Sequence, residues 1–81
     1  METRVGVISI IVENWEAVDT LNSLLHEYRD FVIGRMGIPY KEKEINIICV
    51  ALDAPQDTIS TLAGKVGSLK GVSVKTALSA K

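Results

Sequence analysis

The sequence predicts one α+β domain, a split βαβ sandwich in which a four-stranded antiparallel sheet carries two helices on one face. Segments with the residue pattern of strands and segments with the residue period of helices follow each other in the order βαββαβ. The two halves also match at an offset of 40 residues, as in the pairs Val5 with Ile45 and Val32 with Val72. Right-handed crossovers then place the first and third strands at the centre of the sheet and the second and fourth at its edges.

The two predicted central strands, residues 5–12 and 45–52, are apolar at both alternating sets of positions. Such strands are buried on both faces, but two helices cover only one. Either the set containing Ile8, Ile10, Val12, Ile48 and Val50 or the opposite set, depending on register, lies on the uncovered face. A large exposed apolar patch is unusual for a monomer, so we expect a homo-oligomer, a dimer or a dimer of dimers.

The first helix is predicted to begin near Asn14, a good N-cap residue. Apolar and aromatic residues then recur every three or four positions and form its inner stripe: Trp15, Val18, Leu21, Leu25 and Tyr28. Trp15 has two interpretations. It is a core anchor, which the pattern favours slightly, or it covers a pocket between residues 13–14 and the second strand.

The second strand is predicted from Phe31 to Ile38, and the charged residues 40–44 form a solvated connection after Pro39. The second helix is predicted to open at Asp53-Ala54-Pro55 and to end at Gly71. Its stripe is Ile59, Leu62, Ala63, Val66 and Leu69. Gly64 and Gly67 lie within this helix. They indicate close backbone packing or a frayed last turn, or else they are surface glycines that the helix tolerates. The last strand, residues 72–78, alternates as an edge strand does.

Length and composition limit the class of protein. The chain has 81 residues and a net charge of −1, which describes one small globular domain, residues 1–81. Its basic residues are dispersed or alternate with acidic ones, so we do not expect direct nucleic-acid binding. The chain has neither a secretory pattern nor an apolar stretch long enough for a bilayer, which predicts a cytoplasmic protein without membrane contact. The single cysteine, Cys49, lies in an apolar strand and is expected to be a buried, inert thiol.

The residues do not predict catalysis or a resident cofactor. His26 is the only histidine, so a metal site within one chain lacks ligands and no Ser-His-Asp group can be assembled. His26 is expected to be a half-exposed helix residue. A metal shared between subunits, with Glu27 or Asp30 beside His26, is the alternative.

The segment from Gly34 to Pro39 is the most unusual local sequence. Two glycines weaken a strand unless a ligand or a neighbouring chain approaches its backbone, and Arg35 between Gly34 and Gly37 offers a planar fork for a carboxylate or phosphate. We predict that Arg35, Asn14 and the backbone of the two glycines line a small anion site at a subunit boundary. Trp15, next to Asn14 in the sequence, is also predicted to bind the ligand. The alternative is a bulged edge strand with a solvated arginine.

Three segments together closely resemble the small regulators of iron-only hydrogenase systems. They are the run from Asp30 to Tyr40, the segment 64–67 and the segment 71–75. The resemblance extends over nearly the whole chain. It implies a ferredoxin-like, ACT-like fold and a regulatory role, in agreement with the pattern of strands and helices.

That family is also similar to the C-terminal domain of nickel-responsive repressors, which tetramerises and binds metal between chains. His26 matches one ligand histidine of that domain, but Gly37 and Pro39 stand where it has strand histidines, and Glu44 and Ile45 stand where its cysteine lies. The resemblance therefore carries no nickel site over to this sequence. The ribbon-helix-helix of those repressors has no counterpart before the first strand, so any effect on transcription would require a protein partner.

Together these observations predict a non-catalytic regulatory module that senses a small ligand as a homo-oligomer, in the regulation of an iron-only hydrogenase system. A structural or protein-interaction module is the alternative from another class, and a metal sensor with a site shared between subunits is the third.

Overall fold

In the computed structural model of the chain, which describes residues 2–81, the strands and helices follow the predicted order. The strands are β1 (Arg4–Val12), β2 (Val32–Tyr40), β3 (Ile45–Ala54) and β4 (Val72–Leu78), and the helices are α1 (Val18–Glu27) and α2 (Gln56–Gly67). The sheet order is β2-β3-β1-β4 with antiparallel neighbours throughout. The prediction of β1 and β3 at the centre and of β2 and β4 at the edges is confirmed.

The register of the sheet decides which apolar set meets the helices. Ile8 lies opposite Val50, and Ile10 lies opposite Ile48, so these side chains share one face. That face packs against the buried residues of α1 and α2, and the core consists of Ile8, Ile10, Val12, Ile48, Val50, Leu52, Leu21, Leu25, Ile59, Leu62 and Val66, with Ala17 and Ala54 at its margin. The helices therefore cover the even-numbered residues of β1 and β3.

The other face of the sheet carries no helix among residues 2–81 and is called here the apolar sheet face. Its apolar members, assigned by the same pairing, are Val5, Val7, Ile11, Met36, Ile38, Tyr40, Ile45, Ile47, Cys49, Ala51 and Ala77. A row of isoleucines, Ile38, Ile47 and Ile11, crosses it from β2 through β3 to β1, and Ile11 is 43% exposed. Cys49 is half-buried on this face, so the prediction of a buried thiol was wrong, because the helices pack on the other face.

The first helical segment begins differently from the prediction. Asn14 is the N-cap, as expected, but it caps a 3₁₀ helix (Trp15–Ala17), and α1 follows from Val18. Ala17 is the buried residue of that turn, whereas Trp15 is 53% exposed. Residues two apart in a 3₁₀ helix point in different directions, so Trp15 is turned away from the core that Ala17 contacts. The slight preference for Trp15 as a core anchor was therefore wrong.

Strand β2 starts one residue later and ends two residues later than predicted, at Val32 and Tyr40. Pro39 is thus part of the strand, opposite Asn46. An edge strand tolerates this, because only one side of its backbone has a neighbouring strand to pair with. The charged connection to β3 is a 3₁₀ helix (Lys41–Lys43) that ends at Glu44, whose φ of 56° is left-handed.

The glycines around α2 differ in their surroundings. The predicted start of the helix was wrong, because Asp53 and Ala54 are the last residues of β3. The helix ends at Gly67, and Gly71, predicted to end it, instead lies in the turn before β4 with φ of +76°. A Cβ on Gly67 would lie 3.2 Å from Val74 Cγ2, whereas a Cβ on Gly64 would meet nothing within 4 Å. Gly67 is therefore closely packed against β4, whereas Gly64 is a surface glycine that the helix tolerates.

Candidate functional site

Strand β2 places Arg35 on the side of the sheet that faces α1. Arg35 is paired with Val50, a core residue, so its side chain leaves the strand on the helix-covered face. Its guanidinium Nη2 donates a hydrogen bond of 2.7 Å to Asn22 Oδ1 on α1. This hydrogen bond joins the edge strand to the helix above it.

A cavity of about 340 Å³ lies between α1 and β2, at the small end of the range for ligand pockets. Its lining residues are Asn22, Leu25, His26, Arg29, Val32, Arg35 and Val50. Leu25 and Val50 are buried and Val32 is half-buried, so they form an apolar floor. The polar residues are exposed and form the rim. We call this site the α1–β2 cavity.

The rim carries positive charge. Arg29 Nη1 donates a hydrogen bond of 3.0 Å to the carbonyl oxygen of His26, and Arg35 donates to the amide of Asn22. Both of these acceptors are neutral. Among residues 2–81, no Asp or Glu lines the cavity. Two guanidinium groups at the rim of an apolar depression can bind a carboxylate or phosphate through charge-assisted hydrogen bonds.

Three rim residues were not among the predicted ligand-binding residues, although His26 was considered for the alternative metal site. Asn22, His26 and Arg29 are spaced by four and three residues, which places them on one side of α1 and its C-terminal extension. That spacing was a usable signal. It does not reveal which strand the helix side faces, so it could not by itself connect these residues to Arg35.

Asn14 and Trp15, two of the predicted ligand-binding residues, lie at another corner of the domain. Asn14 Oδ1 accepts a hydrogen bond from the Glu16 N–H (3.1 Å), and its Nδ2 donates to the carbonyl of Lys70 (3.3 Å). These bonds tie the start of the 3₁₀ helix to the turn before β4, at the opposite edge of the sheet from β2. Within one chain Asn14 therefore serves a structural role.

Gly34 and Gly37, the remaining two predicted site residues, flank Arg35 on β2. A Cβ on either glycine would meet nothing within 4 Å. Within one chain, then, the space beside their Cα atoms is open, and the five predicted residues lie in two separate places. An anion site that joins them at a boundary between subunits stays a prediction.

A polar contact joins α2 to the end of α1. Lys65 Nζ on α2 donates a hydrogen bond of 3.0 Å to Tyr28 Oη, at the end of α1, and lies 5.3 Å from the centre of the tyrosine ring. The hydrogen bond to Tyr28 is the main reason why the pKa of Lys65 is raised above its ordinary value of 10.5. The contact stabilises a protonated Lys65.

Residues 2–81 contain neither a cluster of metal-binding side chains nor a helix that could cross a membrane. Within that range, no group of three or more His, Cys, Asp or Glu side chains is arranged to hold a metal ion. Likewise, none of the helices described there is long and apolar enough to cross a membrane.

The order of elements and the sheet topology define the class of this protein as a ferredoxin-like, ACT-like α+β module. Its sequence from residue 4 to residue 76 matches the TM1266-like family model, described as "Iron-only hydrogenase system regulator, putative". The chain belongs to that family, and the resemblance seen in the sequence is confirmed.

Individual proteins support this assignment. The structure of the uncharacterized protein TM1266 from Thermotoga maritima is 36% identical, covers 95% of this chain and 98% of that chain, and superposes with a TM-score of 0.91. A "Putative nickel-responsive regulator" from Saccharolobus solfataricus is 28% identical over 67 residues, which are 83% of this chain. The match spans only half (50%) of that protein's length.

A more distant structure shows the fold alone. A formyltetrahydrofolate deformylase from Pseudomonas putida KT2440 matches 90% of this chain with a TM-score of 0.64, at 16% identity and over 28% of its own chain. The fold therefore also occurs as a part of larger proteins.

Proposed function

We propose that this chain is a non-catalytic regulatory module that senses a small ligand as a homo-oligomer and regulates an iron-only hydrogenase system. The observation that carries the ligand-sensing part is the α1–β2 cavity, which combines an apolar floor with two guanidinium groups at its rim. The regulatory part is supported by family membership and by the regulator from Saccharolobus solfataricus.

The homo-oligomer is supported by the apolar sheet face. This face extends over β1, β2 and β3, and its exposed members include Met36 at 57% and Ile38 at 48%. The charged residues paired into it are Asp53 and Lys75, one of each sign. A second copy of the chain presents the same apolar area and the same balance of charge, so a symmetric pair buries both faces at once.

Strand β2 contributes residues both to the α1–β2 cavity and to the apolar sheet face. Arg35 points toward the α1–β2 cavity, while its neighbours in sequence, Met36 and Gly34, lie on the apolar sheet face. A ligand that draws Arg35 toward α1 acts on the same strand that contributes to the contact between copies. This arrangement offers a route from ligand to oligomer.

We propose that the module acts through another protein. The basic residues of the chain are dispersed along the sequence, and its net charge is −1, so the module has no basic run with which to bind DNA itself. A separate protein partner would then transmit the signal to transcription or to the hydrogenase system.

Deletion of the gene in the organism that encodes it tests the regulatory role. We expect hydrogenase transcripts or hydrogenase activity to change and to be restored by the wild-type gene. The control is a complementing gene whose start codon is removed. Unchanged transcripts and unchanged activity would contradict the proposed function.

A further inference from the structure

The α1–β2 cavity also indicates the chemical class of its ligand. We infer that the cavity binds a small carboxylate with a short apolar body, an inference that rests on the proposed sensing function. Arg35 and Arg29 hold the carboxylate, and the apolar body lies on Leu25, Val32 and Val50. This inference uses residues of α1 that the predicted site at Arg35 and Asn14 did not include.

The charge of the rim selects an anion. The hydrogen bonds of Arg29 and Arg35 reach neutral oxygens, those of the His26 carbonyl and the Asn22 amide. Each guanidinium has five N–H donors, and one hydrogen bond leaves others for a ligand. A carboxylate satisfies them in a forked geometry and supplies the negative charge that the lining residues lack.

The floor of the cavity selects a ligand with an apolar part. Leu25 and Val50 are buried core residues that line the base of the cavity, and half-buried Val32 lines it at the start of β2. An inorganic anion would leave the half-buried Val32 in contact with water. An alkyl body covers it, and each methylene that is buried there tightens binding about fourfold.

Side chains from both walls position the carboxylate. Asn22 already holds Arg35 at 2.7 Å, which fixes the direction of one guanidinium, and His26 adds an imidazole N–H at the rim. Because these groups come from α1 and Arg35 comes from β2, the ligand joins the helix to the edge strand.

Titration of the wild-type chain with acetate and isovalerate tests the inference. Amide chemical shifts in NMR spectra report the binding. We expect isovalerate to shift signals of Asn22, His26 and Arg35 and to bind more tightly than acetate. Isovaleramide, which has the same body without the charge, should not bind. Inorganic phosphate binding as tightly as isovalerate would overturn the inferred carboxylate class.

Variants assign the binding to the cavity. Arg35→Gln and Arg29→Gln should each weaken isovalerate binding at least tenfold, whereas Lys41→Gln, which changes the net charge equally on the connection between β2 and β3, should bind as the wild type does. Arg35 is exposed on an edge strand, so its replacement leaves the fold intact, and an unchanged NMR spectrum outside the cavity checks this. An absence of shifts at the cavity residues, or wild-type affinity in Arg35→Gln, would overturn the inference.

The result is separable from the test of the proposed function. If carboxylates do not bind while the gene deletion still changes the hydrogenase system, only the inferred ligand class fails. If isovalerate binds in the cavity while the deletion has no effect, the ligand class stands and the proposed regulatory role fails.

Discussion

Gly71 lies so close to Asn14 that a Cβ placed on Gly71 would be 2.6 Å from the Asn14 Cβ. A backbone hydrogen bond from the residue before Asn14 holds the two segments together, because the Glu13 N–H donates to the carbonyl of Gly71 at 2.8 Å. With φ of +76°, Gly71 adopts a conformation that residues with a side chain rarely adopt. The corner where β1 ends and β4 begins therefore requires glycine for two independent reasons.

Replacement of Gly71 by alanine should destabilise the fold. We expect the free energy of unfolding to fall by at least about 2 kcal/mol, from the left-handed backbone and from the contact with Asn14. Urea denaturation measures it. The matched control is Gly64→Ala in α2, where the space is open, and this substitution should raise the free energy of unfolding by about 0.5–1 kcal/mol. Equal effects at the two positions would contradict this explanation.

Ile11→Lys should separate the subunits of the oligomer. Ile11 lies in the centre of the apolar sheet face, between Ile47 and Ser73. An unpaired ammonium buried in that contact costs about 3 kcal/mol, roughly a hundredfold in the dissociation constant. Light scattering should show a multiple of the chain mass of 8.8 kDa for the wild type and the chain mass for the variant.

Thr61→Lys is the control for this experiment, because Thr61 is exposed on α2, away from the apolar sheet face. It should leave the oligomer unchanged. A wild type that stays folded at the monomer mass at micromolar concentration would contradict the proposed contact between copies.

Tyr28→Phe should lower the pKa of Lys65 toward its ordinary value of 10.5, because the variant lacks the hydroxyl that accepts the hydrogen bond. NMR titration of the Lys65 side chain measures this shift. A pKa raised in the folded state contributes stability that is fully present below the ordinary value and is lost as pH rises through the folded value. The wild type should thus lose this contribution above about pH 10.5, and Tyr28→Phe should not. A Lys65 pKa unaffected by the substitution would exclude the hydroxyl as its cause.

We expect no His26-dependent binding of nickel at a ratio of one ion per chain. One histidine and one half-buried cysteine do not provide the ligands of a closed site. Calorimetric titration of protein treated with a chelator measures binding, with His26→Ala as the comparison. Tight binding at that ratio, lost in His26→Ala, would favour the alternative of a metal sensor with a site shared between subunits.

Part of the candidate site could be predicted and part could not. Arg35 was identified from its own strand, since an arginine between two glycines is unusual at any register. Asn14 was correctly identified as an N-cap, but its proximity to Arg35 was inferred from the expected packing of one end of the sheet. In the structure Asn14 contacts Lys70 and Gly71 at the β4 edge, while Arg35 contacts Asn22 at the β2 edge.

The sequence by itself determined the order of the elements, the central position of β1 and β3, and the apolar stripes of both helices. These features depend on periodicity along the chain, which follows from the geometry of a strand or a helix alone. Only the tertiary structure decided that Ile8 and Val50 face the helices while Ile11 and Ile47 do not, because both sets are equally apolar and the choice depends on which side of the sheet the helices cross. It also decided that Arg35 donates a hydrogen bond to Asn22 and lines the same cavity as Arg29. Contacts between a strand and a helix depend on the register of the sheet and the rotation of the helix, and no pattern local to either segment contains them.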